Sequence, residues 1–196
     1  DYKVSFNEKQ AIEYSSQIGF PLVMKVLSNH ILHKTETGGV ELNIKNLEEL
    51  KISFQKLSDV FQKLKINSSE KKFIIQKMEK GIAEIILGYR VDELVGPIVV
   101  IGSGGILSEI YNDKSIRMAP VDITEAKKMI KEVKSLVTIT GYRGLPEVDI
   151  NIIATAIVNI SKFALVKEIK EAEINPVIVK KNNEGIVAVD GLITLK

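Results

Sequence analysis

Cysteine is absent from all 196 residues of this chain, which excludes a disulfide framework and any thiolate zinc centre. A surplus of charge is missing too: 27 lysines and arginines face 25 aspartates and glutamates, for a formal net charge of +2. So small an excess leaves no electrostatic footprint for DNA or RNA, and no nucleic-acid partner is expected. No uninterrupted apolar run reaches about 18 residues, so neither a transmembrane helix nor a membrane partner is expected. A signal-peptide pattern and an initiating methionine are also lacking. These absences read as a cytoplasmic protein, and the start at Asp1-Tyr-Lys-Val reads as a fragment of a longer chain. Two familiar phosphate loops are excluded by spacing. Gly102-Ser-Gly104-Gly105 is followed by no Gly-Lys-Ser/Thr, and it lacks the spacing and downstream acid of a dinucleotide fingerprint.

What is present is ordinary for a globular protein: 45% hydrophobic and 27% charged residues, enough chain for one large domain or two small lobes. Apolar spacing predicts helices over 7–18 and 47–64, each followed by a stop, Gly19 in one case and Asn67-Ser-Ser in the other. A third helix is expected from Asp122 or Thr124, with Thr124 offering an N-cap, to about Leu136, and a fourth over 149–163. Short β-branched runs predict strands at 21–27, 41–44, 73–78, 84–89, 97–101, 171–179 and 186–189. Gly141-Tyr-Arg-Gly144 reads as a loop and 182–185 as a turn. Short-range strand pairs mixed with helices indicate an α+β fold rather than a strictly alternating parallel one.

Four places could carry chemistry. Lys25 interrupts the apolar run Pro21-Leu-Val-Met-Lys-Val-Leu; it is either a snorkelling edge-strand lysine or a cation that meets phosphate. His30 and His33 have the i, i+3 spacing of a metal pair, while the His33-Lys34 step into Gly38-Gly39 suits transient phosphorylation or phosphate contact. The Gly102, Gly104 and Gly105 loop offers backbone amides to an anion or simply turns a strand end. Arg117 beyond it offers a phosphate fork or a surface ion pair. Glu173-Ile-Asn175-Pro176 places Glu173 and Asn175 on one strand face. With Asp190 on the returning strand, they form a set of hard oxygen ligands suited to Mg²⁺.

Taken in order, these stretches resemble the ATP-grasp domain, or β subunit, of ADP-forming acyl-CoA synthetases, relatives of succinyl-CoA synthetase. The carriers are Gly19-Phe-Pro-Leu-Val-Met-Lys-Val, Ile31-Leu-His-Lys-Thr-Glu-Thr-Gly-Gly-Val and Gly81-Ile-Ala-Glu-Ile-Ile-Leu-Gly. They continue through Gly96-Pro-Ile-Val-Val-Ile-Gly-Ser-Gly-Gly-Ile, Glu109, Asp113, Arg117-Met-Ala-Pro, Gly141-Tyr-Arg-Gly and Glu173-Ile-Asn-Pro. The resemblance covers nearly the whole chain. It implies an ATP-grasp clamp over residues 1–196, lacking the family's N-terminal helix and strand, with approximate lobes 1–78 and 79–196. It further implies that Lys25 meets ATP phosphates, that Gln76, Lys77 and Met78 cradle adenine, and that Glu84 is the acidic position near the nucleotide. Asn175 and Asp190, with Glu173 close by, match Mg²⁺ ligands. His33 matches the phosphoryl relay, and His30 stands where the family has an acidic residue. The Gly38-Gly39 turn, the Gly102, Gly104 and Gly105 loop and Arg117 would hold phosphate or meet a partner's loop.

The implied reaction is acyl-CoA + ADP + phosphate ⇌ acid + CoA + ATP, through acyl phosphate and phosphohistidine. Acid and CoA would be bound mainly by a CoA-binding α subunit or fused domain. Two alternatives are a degenerate ATP-grasp module that regulates a fused acyltransferase, and a nucleotide-binding subunit without turnover.

Overall fold

The computed structural model describes residues 1–31, 34–67, 70–105, 112–139, 148–181 and 184–196. The chain divides into two compact units, Asp1–Met78 and Glu79–Lys196. Each contains one sheet covered on one face by helices, the α+β arrangement that the mixed pattern predicts.

The first unit contains β1 (Tyr2–Ser5), α1 (Glu8–Ile18), β2 (Leu22–Val26), β3 (Val40–Ile44), α2 (Leu47–Lys63) and β4 (Phe73–Lys77). Asn7 and Asn46 cap the two helices by accepting from the amides of Gln10 and Glu49, both at 2.9 Å, which satisfies amides the first turn cannot pair. In α2, Leu50, Leu57, Val60 and Phe61 recur at helical spacing and are buried. They meet Leu22, Met24, Val26, Phe73 and Ile75 of the sheet. Each fully buried leucine here contributes about 1.5–3 kcal/mol of transfer free energy. The strand order is β1-β4-β2-β3, all neighbours antiparallel, so β2 is internal.

The second unit contains β5 (Ala83–Asp92), β6 (Gly96–Ser103), β7 (Lys114–Met118), α3 (Ile123–Glu132), α4 (Ile150–Ser161), β8 (Ile169–Val179), β9 (Ile186–Ala188) and β10 (Gly191–Leu195). Its sheet runs β10-β8-β5-β6-β7, with β9 also on β8. Helices α3 and α4 cover the face carrying Ile85, Leu87, Tyr89, Val99 and Ile101. The opposite residues, Glu84, Ile86, Gly88, Arg90 and Val100, occupy a face without helices in this unit.

The N-cap of α3 is Asp122, which accepts from the Glu125 amide at 2.8 Å; Thr124 is already inside the helix. The continuation to Leu136 is a separate 3₁₀ turn, Lys134–Ile139, whose first amides donate to Asp113 at 2.9 and 2.7 Å. β1, β7 and β10, where no strand is expected from the sequence pattern, are all outer strands. Among the described residues no helix is long and apolar enough to cross a membrane.

Candidate functional site

Lys25 is the fourth of the five residues of β2, level with Ile74 on β4 and Val40 on β3. Its strand neighbours Met24 and Val26 face the helices, so Lys25 alternates to the helix-free side. It is nevertheless only 5% exposed. An internal strand and a buried ammonium remove the snorkelling edge-strand alternative. A cation so placed needs acceptors around it, because desolvating it alone is costly. Gln76 lies on the same side as Val23 and Lys25, whereas Lys77 pairs with Leu22 and shares its side. The Lys77 and Met78 amides donate to the carbonyls of Asp1 at 3.2 Å and Pro21 at 3.0 Å. Gln76 therefore shares the Lys25 face, Lys77 takes the other, and Met78 lies just past the end of β4.

His33 lies outside the described residues. His30 is 69% exposed, and its Nε2 stands 3.5 Å from a Glu70 carboxylate oxygen, a surface pairing. The Gly38-Gly39 turn has internal reasons for both glycines. Gly38 adopts φ +71°, and a methyl group on Gly39 would lie 2.6 Å from Val26 Cγ2. The turn delivers Val26 its backbone partner, since the Val26 amide donates to the Gly39 carbonyl at 2.9 Å.

In the second unit, the Gly104 amide donates to the Glu84 carbonyl at 2.7 Å, and a methyl group there would sit 2.8 Å from the Glu84 backbone. Gly104 is thus a close approach between two protein strands. Gly105 follows with φ +84°, beside the Glu84 carboxylate. Gly102 pairs with Ile86 and Lys114 in the ladder, and its carboxylate neighbour Glu84 is exposed on the same helix-free face.

Arg117 is a correction. Its register opposite Val99 places it on the helix-covered face. There Nε donates to Glu125 at 2.7 Å, Nη2 to Glu132, and Nη1 to Ser115 Oγ at 3.3 Å and the Ile116 carbonyl at 2.9 Å. Two carboxylates already neutralise the guanidinium, so it pins β7 to α3 rather than offering a fork to phosphate. Hydrogen bonds from Arg117 hold both glutamates below the ordinary carboxylate range. A depressed folded-state pKa contributes stability that is whole above the unfolded value, near pH 4.3, and is lost as pH falls through the folded value. Arg117→Met is therefore expected to flatten the acid limb of the thermal midpoint between about pH 5 and 2, measured by scanning calorimetry. An acid limb as steep as in the parent protein would refute the linkage.

Glu173 and Asn175 are in side-chain contact, and Asp190 adjoins them through its backbone, its Oδ1 accepting from the Gly191 amide at 3.0 Å. β8 carries one extra residue against β5, because Ile85 pairs with Val177 while Leu87 pairs with Ile174. The bulge falls at Asn175-Pro176, where proline's missing N–H is tolerated within a central strand. On the other side of β8, β9 ends at Ala188 and β10 begins at Gly191. Asp190 fills that break, and its carbonyl accepts from the Asn175 amide at 3.1 Å. The Asn175 side-chain NH₂ donates to Glu173 at 3.0 Å, leaving Oδ1 as the amide's acceptor. Among the described residues no three His, Cys, Asp or Glu side chains converge as a protein cage. Two carboxylates and an amide oxygen nevertheless fit a hard divalent cation that keeps positions for phosphate and water. Sequence reasoning passed over Gly88, directly opposite Glu173; its signal was a glycine inside an otherwise apolar strand.

Residues 1–195 match the family described as ATP-grasp domain. The chain is 38% identical, over its full length and 84% of the relative's, to the β subunit of acetate–CoA ligase (ADP-forming) I of Pyrococcus furiosus. The dinucleotide-forming acetyl-coenzyme A synthetase 1 of Ca. Korarchaeum cryptofilum, solved with coenzyme A, Ca-AMPCP and HgCl⁺, superposes with a TM-score of 0.88. It is 33% identical, covering 100% of this chain and 85% of that one. The same enzyme with coenzyme A and Mg-AMPPCP, its phosphohistidine segment pointing towards the nucleotide binding site, gives a TM-score of 0.77. There the identity is also 33%, covering 99% and 84%.

Proposed function

We start from the premise that this chain belongs to the ATP-grasp domain family, in its branch of ADP-forming acid–CoA ligases, and infer that it performs the nucleotide half of the ligase reaction. The observation that carries this reading is the oxygen set of Glu173, Asn175 and Asp190 at the β8 bulge, on a sheet face without helices in its unit. Phosphoryl transfer asks for positioned charge more than for acid–base groups, and that set supplies it. Mg²⁺ bound there would neutralise charge on the phosphate oxygens.

The remaining roles fall to this chain's own side chains. Lys25 places a buried cation for the phosphates. Gln76 flanks the base, with Lys77 and Met78 beside it, and Glu84 receives the nucleotide's hydroxyl groups. The His33 ring nitrogen attacks the terminal phosphorus in line. A nitrogen–phosphorus bond forms as the bridging oxygen–phosphorus bond breaks, and ADP leaves with the electron pair. The proton on the other ring nitrogen stays in place. The phosphoryl group then passes to a CoA-binding α subunit or fused domain, where acid and CoA react; the reverse direction makes ATP. This chemistry belongs to the cytoplasm, where ATP and CoA are available.

Calorimetric titration of the protein, with its CoA-binding partner supplied, tests the reading. AMPPCP should bind in the presence of Mg²⁺ and should lose most of its affinity on chelation by EDTA. Binding that ignores the metal, or no binding at all, would overturn it.

A further inference from the structure

The glycines of the second unit differ in what they do for the fold. A methyl group on Gly81 would collide with the Val179 carbonyl, and one on Gly104 would meet the Glu84 backbone. Gly96 and Gly105 adopt positive φ. Gly88 has none of these reasons. Its φ is not positive, and among the described residues a methyl group there would touch only Val100 Cβ, at 3.8 Å, an ordinary packing distance.

The sheet ladder does not need a glycine at this position either. Gly88 pairs regularly with Val100 on β6 and Glu173 on β8, and the β5 register shift falls earlier, between Ile85 and Leu87. A glycine in a strand interior costs backbone entropy and leaves nothing to pack, while β-branched residues suit the position. Strand glycines of this kind mark places where a ligand or another backbone approaches closely. Gly88 lies on the helix-free face, and its cross-strand neighbour on that face is Glu173 of the oxygen set. Side chains directly opposite in a ladder stand about 4.5–5.5 Å apart at Cβ. Any side chain at 88 would therefore rise beside the Glu173 carboxylate, into the space its ligand must use.

We propose that Gly88 is a clearance position, lacking a side chain so that the phosphate end of a nucleoside triphosphate can lie flat against the sheet beside Glu173. The proposal rests on the functional reading above and adds a residue that sets how deeply the phosphates seat. It makes two demands that a structural glycine would not meet together. The fold must accept a side chain at 88, and the ligand must not.

The test uses Gly88→Ala and Gly88→Val in the protein with its CoA-binding partner. Thermal midpoints without ligand are expected to be equal to or above that of the parent. AMPPCP affinity in Mg²⁺, by calorimetry, should fall modestly for alanine and at least about tenfold for valine. Affinity for AMP, which lacks the outer phosphates, should change less than about threefold. A valine variant that melts several degrees lower would make the glycine structural and overturn the proposal. Unchanged AMPPCP affinity, or an equal loss for AMP, would also overturn it. A parent protein with no Mg²⁺-dependent nucleotide binding would instead overturn the functional reading, before any variant is measured.

Discussion

His33→Ala, incubated with the CoA-binding partner, Mg²⁺ and γ-labelled ATP, is expected to bind nucleotide as the parent does and to take up no label on this chain. Removing the nucleophile eliminates the covalent step, and turnover in either direction should fall on the order of 10³-fold or more. Nucleotide affinity should hold, because the residues assigned to phosphate, base and metal are elsewhere in the chain. The pairing of label loss with retained binding is what identifies a relay. His30 is the internal control: exposed and beside Glu70, it should be replaceable by alanine with full labelling. Phosphohistidine is stable in alkali and labile in acid, so the label can be assigned chemically before mapping. Label that persists in His33→Ala, or that disappears only in His30→Ala, would refute the assignment.

The second large effect concerns the oxygen set. Asp190→Ala and Glu173→Gln are each expected to lower AMPPCP affinity in Mg²⁺ by about a hundredfold or more, since Mg²⁺ relies on few carboxylates besides phosphate. Binding measured in EDTA should be unchanged, because only the metal-dependent part is removed. Asn175→Asp is the more informative variant. It keeps an oxygen at the position, loses the amide donor to Glu173, and sets a second carboxylate against the first. Without metal, that repulsion should lower the thermal midpoint; added Mg²⁺ should restore it by mass action. Equal Mg²⁺ dependence in parent and Asp190→Ala, by calorimetry, would remove Asp190 from the site.

Local chemistry made much of this molecule readable. Apolar spacing over 7–18 and 47–64 placed two helices, and the β-branched runs around Met24, Ile75, Ile101 and Val177 placed core strands. The Glu173–Asn175–Asp190 set followed from strand alternation and one turn, both short-range. What escaped depends on pairings distant in sequence. Tyr2–Ser5 and Gly191–Leu195 are outer strands of four and five residues with little burial, so they lack the apolar run that announces a strand. That Lys25 lies on an internal strand follows from β2 pairing with both β3 and the distant β4, a non-sequential order. The side on which Arg117 emerges is set by its register against Val99, 18 residues earlier, and that register brings it to Glu125 and Glu132 of α3. The shortened α3 has the same origin, because Asp113 captures the amides of Lys134 and Ser135 from 21 and 22 residues away.

The bulge at Asn175-Pro176 makes the two ends of β8 unequal in how they would tolerate insertion and deletion. Deleting one residue between Ala172 and Val177 would restore a regular ladder with β5. On the other edge of β8, however, Asn175 and Pro176 face Val189 and Asp190 one for one, so the same deletion would break the register that brings Asp190 to Asn175. An added residue past Val179, where the chain turns back toward β9, shifts no residue of that ladder. Functional descendants of this sequence should therefore vary in length after Val179 and hold length constant from Glu171 to Val177. Lineages that have lost a residue inside that window should be ones in which nucleotide turnover has lapsed.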